Sequence, residues 1–130
     1  MRELAPGVWT SPQPSPEDMA AVAAAGVRRV INNRPDAEEP AQPTSAEMES
    51  AARAAGLDYL WIPVAGMPGP SQAAAVGAAL DEDVPTLLFC RSGTRSTAAW
   101  AMARRARGDD PAALRAAAAR AGYDLSRLPL

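Results

Sequence analysis

Cys90 and the residues after it form the segment of this sequence best suited to covalent chemistry. Cys90 ends an apolar run, and six polar or flexible residues follow it: Arg91, Ser92, Gly93, Thr94, Arg95 and Ser96. Backbone N–H groups of a tight loop, and the positive end of a helix that follows it, favour the thiolate form of a cysteine. The guanidinium of Arg95 has the planar, permanent charge that suits a tetrahedral oxyanion. We therefore predict that Cys90 is a nucleophile and that Arg95 holds its anionic substrate.

The rest of this loop is predicted to cradle an anion or a sulfur atom. Gly93 permits a backbone turn that a side chain would block, and Ser96 is placed to donate its hydroxyl to the thiolate. The remaining polar positions complete the cradle: Arg91, Ser92 and Thr94. A solvated surface charge is the alternative interpretation of Arg91. Free cysteines often only fill space in a core, but the polar residues after Cys90 favour the reactive interpretation.

A second group of polar residues ends an earlier apolar run: Asn32, Asn33, Arg34 and Asp36. Because the carboxyl ends of parallel strands meet at one edge of a sheet, we expect this group near Cys90, where it would line a substrate pocket. In the alternative interpretation, Asn33 and Asp36 make hydrogen bonds within a turn and Arg34 pairs with nearby acids.

The elements that must position these residues alternate between strand and helix. Strands are predicted at 27–32, 58–64 and 85–90, after a short apolar piece at 8–10. Helices are predicted over 15–25, 44–56, 71–81, 96–107 and 110–121 from their caps and prolines. The tail 123–130 either packs through Leu125 and Leu128 or frays. This alternation predicts one α/β domain over 1–130, with three α/β/α layers and a mostly parallel sheet of four to five strands.

The composition excludes several classes of function. The chain has one cysteine and no histidine, so we expect no disulfide, no histidine triad, no metal site and no cofactor. A net charge of −2 gives no sign of nucleic-acid binding. No apolar run approaches the roughly 20 residues of a membrane span. Without an apolar leader and with one lone thiol, the sequence predicts a cytoplasmic protein.

The segment from Cys90 to Arg95 resembles the active loop of rhodaneses. Cys90 to Ala99 also resembles the signature of dual-specificity phosphatases, but with one residue fewer between Cys90 and Arg95. Since the shorter ring makes a smaller cradle, it fits a single sulfur atom on Cys90 better than a phosphoryl group. The length of the loop therefore favours the sulfur transfer of rhodaneses over the phosphate hydrolysis of dual-specificity phosphatases.

Over nearly its whole length the chain is similar to the beta-lactamase hydrolase-like bacterial proteins, described as phosphatase-like or sulfur-transferase-like. Four segments carry this resemblance: Ser11–Pro14, Val30–Asp36, Ile62–Val64 and Cys90–Ser96. It implies the fold of dual-specificity cysteine phosphatases rather than that of rhodaneses. Members of this family occur alone or fused to a persulfide dioxygenase, so the resemblance also implies a dioxygenase partner.

Two departures from the phosphatase pattern bear on its acid–base chemistry. Such phosphatases carry an aspartic acid after the third strand to protonate the leaving oxygen, but the loop from Pro63 to Pro70 contains no acid. The histidine that usually precedes the cysteine is Phe89. Asp36, on a neighbouring loop, is the remaining candidate for the acid.

Three functions stay open on these residues. The first is a rhodanese-like sulfurtransferase that takes sulfane sulfur from thiosulfate or a persulfide as a Cys90 persulfide. Since the chain has no second cysteine, the sulfur would pass to an external thiol or to cyanide. The alternative is a phosphatase, a hydrolase that forms a Cys90 phosphoenzyme. The third is a persulfide carrier or redox sensor without enzymatic activity.

Overall fold

Five short strands form a single sheet in the computed structural model, which describes residues 1–130. The strands are β1 (Arg2–Ala5), β2 (Val8–Ser11), β3 (Arg29–Asn32), β4 (Asp58–Trp61) and β5 (Thr86–Phe89). Their order across the sheet is β1-β2-β5-β3-β4. β1 runs antiparallel to β2, and every other neighbouring pair runs parallel. The prediction of a mostly parallel sheet of four to five strands is confirmed.

Five α-helices cover the two faces of the sheet. They are α1 (Met19–Ala24), α2 (Ser45–Ala54), α3 (Pro70–Leu80), α4 (Thr94–Ala106) and α5 (Pro111–Arg120). A 3-10 turn at Pro16–Asp18 leads into α1. None of these helices is both long and apolar enough to cross a membrane.

Alternating side chains of the central strands face opposite helix layers. On one face, Val30 and Leu87 pack with α1 and α2 in one buried cluster. On the other face, Ile31 and Leu88 pack with α3 and α4, and α5 packs outside α4 through Leu114. Because strand side chains alternate in direction, these neighbouring pairs supply both cores. The three-layer α/β/α architecture predicted from the sequence is confirmed.

The observed elements differ from the predicted ones mainly at their ends. β1 was not predicted, because in Arg2–Ala5 only Leu4 is buried and the pattern of an interior strand is missing. β4 ends at Trp61 rather than at position 64, since the chain then reaches Pro63, which has no amide hydrogen to donate. The tail after α5 packs rather than frays, because Leu125 is buried against α4 and α5.

Candidate active site

Cys90 lies at the carboxyl end of β5, in the middle of the parallel part of the sheet. Three residues separate it from α4, which begins at Thr94. The Cys90 side chain is fully buried, and the amide of Gly93 donates a hydrogen bond to its Sγ at 3.1 Å. The sulfur therefore lies beneath a loop whose backbone donor is aimed at it, as the sequence predicted, rather than among apolar side chains alone.

The loop holds this conformation through contacts on both of its sides. Gly93 has a φ of 96°, in the left-handed region that favours glycine. Its carbonyl oxygen accepts a hydrogen bond from Thr97 Oγ1 at 2.8 Å and another from Thr10 Oγ1 at 3.3 Å. At the loop rim, Ser92 Oγ donates to Thr94 Oγ1 at 3.1 Å. The loop is thus tied to β2 as well as to α4.

Arg95 is fixed by three hydrogen bonds that leave one edge of its guanidinium free. Nη1 and Nη2 donate to the two carboxylate oxygens of Glu38 at 2.7 and 2.9 Å, and Nη1 also donates to the Val64 carbonyl at 2.7 Å. A guanidinium has five N–H donors. Those left over, on Nε and Nη2, share one edge, which is the geometry that binds two oxygens of a tetrahedral anion.

The pKa of Arg95 reflects both partners of its guanidinium. The hydrogen bonds that Arg95 donates to Glu38 raise the pKa most, partial burial opposes this increase, and the negative charge of Cys90 raises the pKa further. The Arg95 guanidinium is therefore close enough to Cys90 for its pKa to respond to the charge of the sulfur. The role of Arg95 in holding a substrate anion stays a prediction.

Glu38 and Glu39 tie the 34–39 segment to the active loop. The Arg34 side chain, only 3% exposed, donates to Glu38 at 2.9 Å and to Glu39 at 2.7 Å. Arg91 forms an ion pair with Glu39 at 3.0 Å at the surface. The hydrogen bond from Arg95, followed by that from Arg34, lowers the pKa of Glu38 from 4.5 to about 2 despite its partial burial. Neither glutamate was predicted as a site residue from the sequence, although the expected pairing of Arg34 with nearby acids does form.

The polar residues after β3 brace the structure around the loop. Asn32 donates to Tyr59 Oη at 2.9 Å and accepts from the amide of Arg34 at 2.8 Å. Asn33 donates to the Ile62 carbonyl at 2.9 Å. Asp36 Oδ1 accepts from the amide at the start of α2 at 2.7 Å. Asn33 and Asp36 thus make hydrogen bonds to distant residues rather than the turn hydrogen bonds of the alternative interpretation. The role of this group in binding substrate stays a prediction.

The expected hydrogen bond from Ser96 to Cys90 is not made in this structure, and the candidate acid Asp36 has a partner elsewhere. The Ser96 hydroxyl donates to Asn33 Oδ1 at 2.8 Å instead of to Cys90, because Asn33 lies beside the first turn of α4. Asp36, the candidate acid, is held at the start of α2 by its hydrogen bond to the Ser45 amide. The Ser96 prediction is therefore corrected, and no acid from the 63–70 loop replaces Asp36.

The ionised form of Glu38 should stabilise the fold. Because its pKa is lower in the folded protein, this stabilisation is present above pH 4.5 and is lost as the pH falls toward about 2. After allowance for the 26% exposure of the side chain, we expect Glu38→Gln to remove about 1–2 kcal/mol of pH-dependent stability.

Urea unfolding at several pH values between 2 and 6 measures this difference. Glu49→Gln is the matched control, since Glu49 forms an ion pair with Arg53 at the surface of α2. A stability–pH curve for Glu38→Gln that is parallel to the parent curve would show that Glu38 has no such effect.

Residues 1–107 match the sequence family described as "Beta-lactamase hydrolase-like protein, phosphatase-like domain". A beta-lactamase hydrolase-like protein of Xylella fastidiosa is 37% identical over 126 residues, which cover 90% of this chain and 28% of that protein. One from Agrobacterium fabrum is 39% identical over 89 residues, 65% of this chain and 20% of that protein. The chain thus spans less than a third of the length of these curated relatives.

The fold also has a close counterpart among solved structures. A protein from Neisseria meningitidis, provisionally described as a phosphatase, superposes with a TM-score of 0.84 at 28% identity. The match covers 97% of this chain and 91% of that one. The sheet and helices around Cys90 therefore have the architecture of a phosphatase-like domain.

Proposed function

This chain belongs to the phosphatase-like domain family of beta-lactamase hydrolase-like proteins, and on that premise we propose that it is a cysteine-dependent phosphatase. The observation that carries the proposal is that the Arg95 guanidinium, whose pKa responds to the charge of Cys90, keeps two N–H donors on one edge without a partner. Two N–H groups on that edge supply donors for the oxygens of a phosphoryl group, while the Gly93 amide donates to the sulfur. The comparisons support this reaction rather than the sulfur transfer that the short loop favoured in the sequence.

The reaction would proceed in two half-reactions on Cys90. The thiolate attacks phosphorus, a P–S bond forms, and the bond from phosphorus to the leaving oxygen breaks. The leaving oxygen takes a proton from water. A second water then attacks the phosphorus, the P–S bond breaks, and inorganic phosphate and the thiolate are released. Arg95 holds the phosphoryl oxygens in both steps, and the Gly93 amide stabilises the sulfur of the thiolate.

Substrates with good leaving groups should react fastest. The 63–70 loop has no carboxylate and Asp36 accepts a hydrogen bond from the amide of Ser45, so we expect the leaving oxygen to depart without general acid catalysis. General acid catalysis contributes about 10²-fold or more when it is present. We therefore expect aryl phosphates to exceed alkyl phosphates in kcat/KM by more than about 10²-fold.

A series of aryl phosphates with phenols of different acidity tests this expectation. The predicted result is a steep increase of kcat with the acidity of the phenol. A flat series would show that an acid is supplied from elsewhere, and Asp36→Asn would then identify or exclude Asp36 as its source.

Sulfur transfer remains the second candidate because its leaving group needs no proton. With thiosulfate, the Cys90 thiolate would attack the outer sulfur, a new S–S bond would form, and the S–S bond of thiosulfate would break to release sulfite as an anion. An external thiol would then remove the sulfur from the Cys90 persulfide. The missing acid and the four residues between Cys90 and Arg95 favour this reaction. In this second hypothesis, thiosulfate or a persulfide is the sulfur donor and a persulfide dioxygenase is the partner protein.

Parallel steady-state assays separate the two reactions. Hydrolysis of an aryl phosphate that vanadate inhibits is the result expected for the phosphatase. Release of sulfite from thiosulfate in the presence of a thiol, with no phosphate released from the aryl phosphate, would show that the protein is a sulfurtransferase and not a phosphatase. If neither activity is found, the third function, a carrier or sensor, is supported instead.

A further inference from the structure

We propose that Tyr123, in the tail after α5, is a positioning residue that fixes the peptide between Ser92 and Gly93 and so directs the Gly93 amide at Cys90. Tyr123 Oη donates to the Ser92 carbonyl oxygen at 3.0 Å, and the Gly93 amide donates to Cys90 Sγ at 3.1 Å. This inference deepens the proposed function, since it names a residue that prepares the same nucleophile. It does not depend on which group Cys90 transfers.

The two hydrogen bonds involve opposite ends of one peptide unit. The Ser92 carbonyl and the Gly93 N–H lie in the same plane and, in a trans peptide, point in opposite directions. Tyr123 binds the oxygen end while Cys90 binds the N–H end. If this peptide turned over, the carbonyl oxygen would face the sulfur and would destabilise a thiolate. The tyrosine hydroxyl therefore opposes that rotation.

Glycine makes an external anchor necessary at this position. Because Gly93 lacks a Cβ, it adopts positive and negative φ about equally well, and its own backbone preference does not fix the peptide orientation. A Cβ built on Gly93 would overlap the Tyr123 hydroxyl. The tyrosine thus occupies the space beside the glycine and restrains the backbone that the glycine leaves free. A hydrogen bond to the carbonyl also polarises the peptide and strengthens its N–H as a donor.

The segment that carries Tyr123 is itself held in place. The Tyr123 amide donates to the Ala118 carbonyl at 2.9 Å at the end of α5. Two residues later, Leu125 is buried, and Arg115 donates to the Leu128 carbonyl at 3.0 Å. Burial raises the pKa of Tyr123, and the negative charge of Cys90 raises it further, which agrees with a hydroxyl close to the sulfur. Tyr123 also lies beyond residues 1–107, the part of the chain that matches the family.

Alkylation of Cys90 by iodoacetamide tests the inference without any phosphate substrate. The chain has one cysteine, so the mass gain of the intact protein reports Cys90 alone. Tyr123→Phe keeps the ring and removes the hydroxyl. We expect its alkylation at pH 7 to be slower by about three- to tenfold, with the rate–pH profile displaced to higher pH. Arg95 and Tyr123 are the titratable groups whose pKa responds to the charge of Cys90. Tyr123→Phe removes the second of these groups and leaves Arg95 in place.

Asp124→Asn is the matched control, because it alters the neighbouring residue and keeps an oxygen that accepts from the Ser126 amide. Its alkylation profile should equal that of the parent protein. The amide chemical shift of Gly93 provides a second measurement, and Tyr123→Phe should change it more than Asp124→Asn does. A parent-like profile and shift in folded Tyr123→Phe would overturn the inference. If the parent protein shows no phosphatase turnover but Tyr123→Phe is still alkylated more slowly than the parent, only the proposed function would be overturned.

Discussion

Cys90→Ser should abolish aryl phosphate hydrolysis, with kcat reduced by at least about 10³-fold. Serine is close in size to cysteine and can accept the Gly93 hydrogen bond that Cys90 Sγ now accepts at 3.1 Å. Its hydroxyl stays protonated at neutral pH, and the chain has no histidine to remove that proton. Binding should therefore persist while covalent transfer stops.

Steady-state turnover and inhibitor binding by the same variant test this expectation together. Cys90→Ser should still bind inorganic phosphate with an affinity near that of the parent, and its melting curve should show an intact fold. Turnover above about one hundredth of the parent rate would place the nucleophile elsewhere. Cys90→Ala serves as the control for any hydrolysis that a serine itself supports.

Arg95→Lys should lower kcat/KM by about 10²–10³-fold. Lysine keeps the positive charge but has a single ammonium group, so it cannot bind Glu38 through two nitrogens and also present two donors to a phosphoryl group. Because the lost interactions are strongest with the phosphoryl group in transfer, we expect the decrease mainly in kcat. Kinetics at saturating and limiting aryl phosphate separate kcat from KM.

Glu38→Gln should have a smaller effect on activity than Arg95→Lys. Glutamine keeps one acceptor oxygen for Arg95 and removes the charge, so we expect a loss of about tenfold, between the parent and Arg95→Lys. The expectation rests on Glu38 orienting the guanidinium. Higher activity in Glu38→Gln would show instead that the carboxylate competes with substrate for Arg95. Unchanged activity in Arg95→Lys would show that Arg95 does not bind the phosphoryl group.

The loop that carries Cys90 could be predicted because its signal is local. An apolar strand, a cysteine, a glycine at the turn and a helix lie within a few residues, and the structure places them in that order. The layers and the parallel sheet could also be predicted, since they follow from the alternation of helix and strand along the chain. These features depend on neighbours in sequence.

The contacts that prepare the loop depend on residues far apart in sequence. Glu38 lies 57 positions from Arg95, and Tyr123 lies 31 positions from Ser92. No local pattern marks either residue, because an acid in a proline-rich loop and a tyrosine in a tail are ordinary at a surface. The Ser96 hydroxyl was assigned to the nearby thiol for the same reason, whereas its partner, Asn33, is 63 positions away.

The most direct test of the central claim is the covalent state of Cys90 during turnover. The protein is mixed with an aryl phosphate, quenched rapidly in acid, and analysed by peptide mass spectrometry, in parallel with a sample exposed to thiosulfate. We predict one phosphoryl group on the peptide that contains Cys90, and none in Cys90→Ser. An unmodified Cys90 peptide during measurable phosphate release, or an added sulfur atom as the only modification in either sample, would contradict a phosphatase that acts through Cys90.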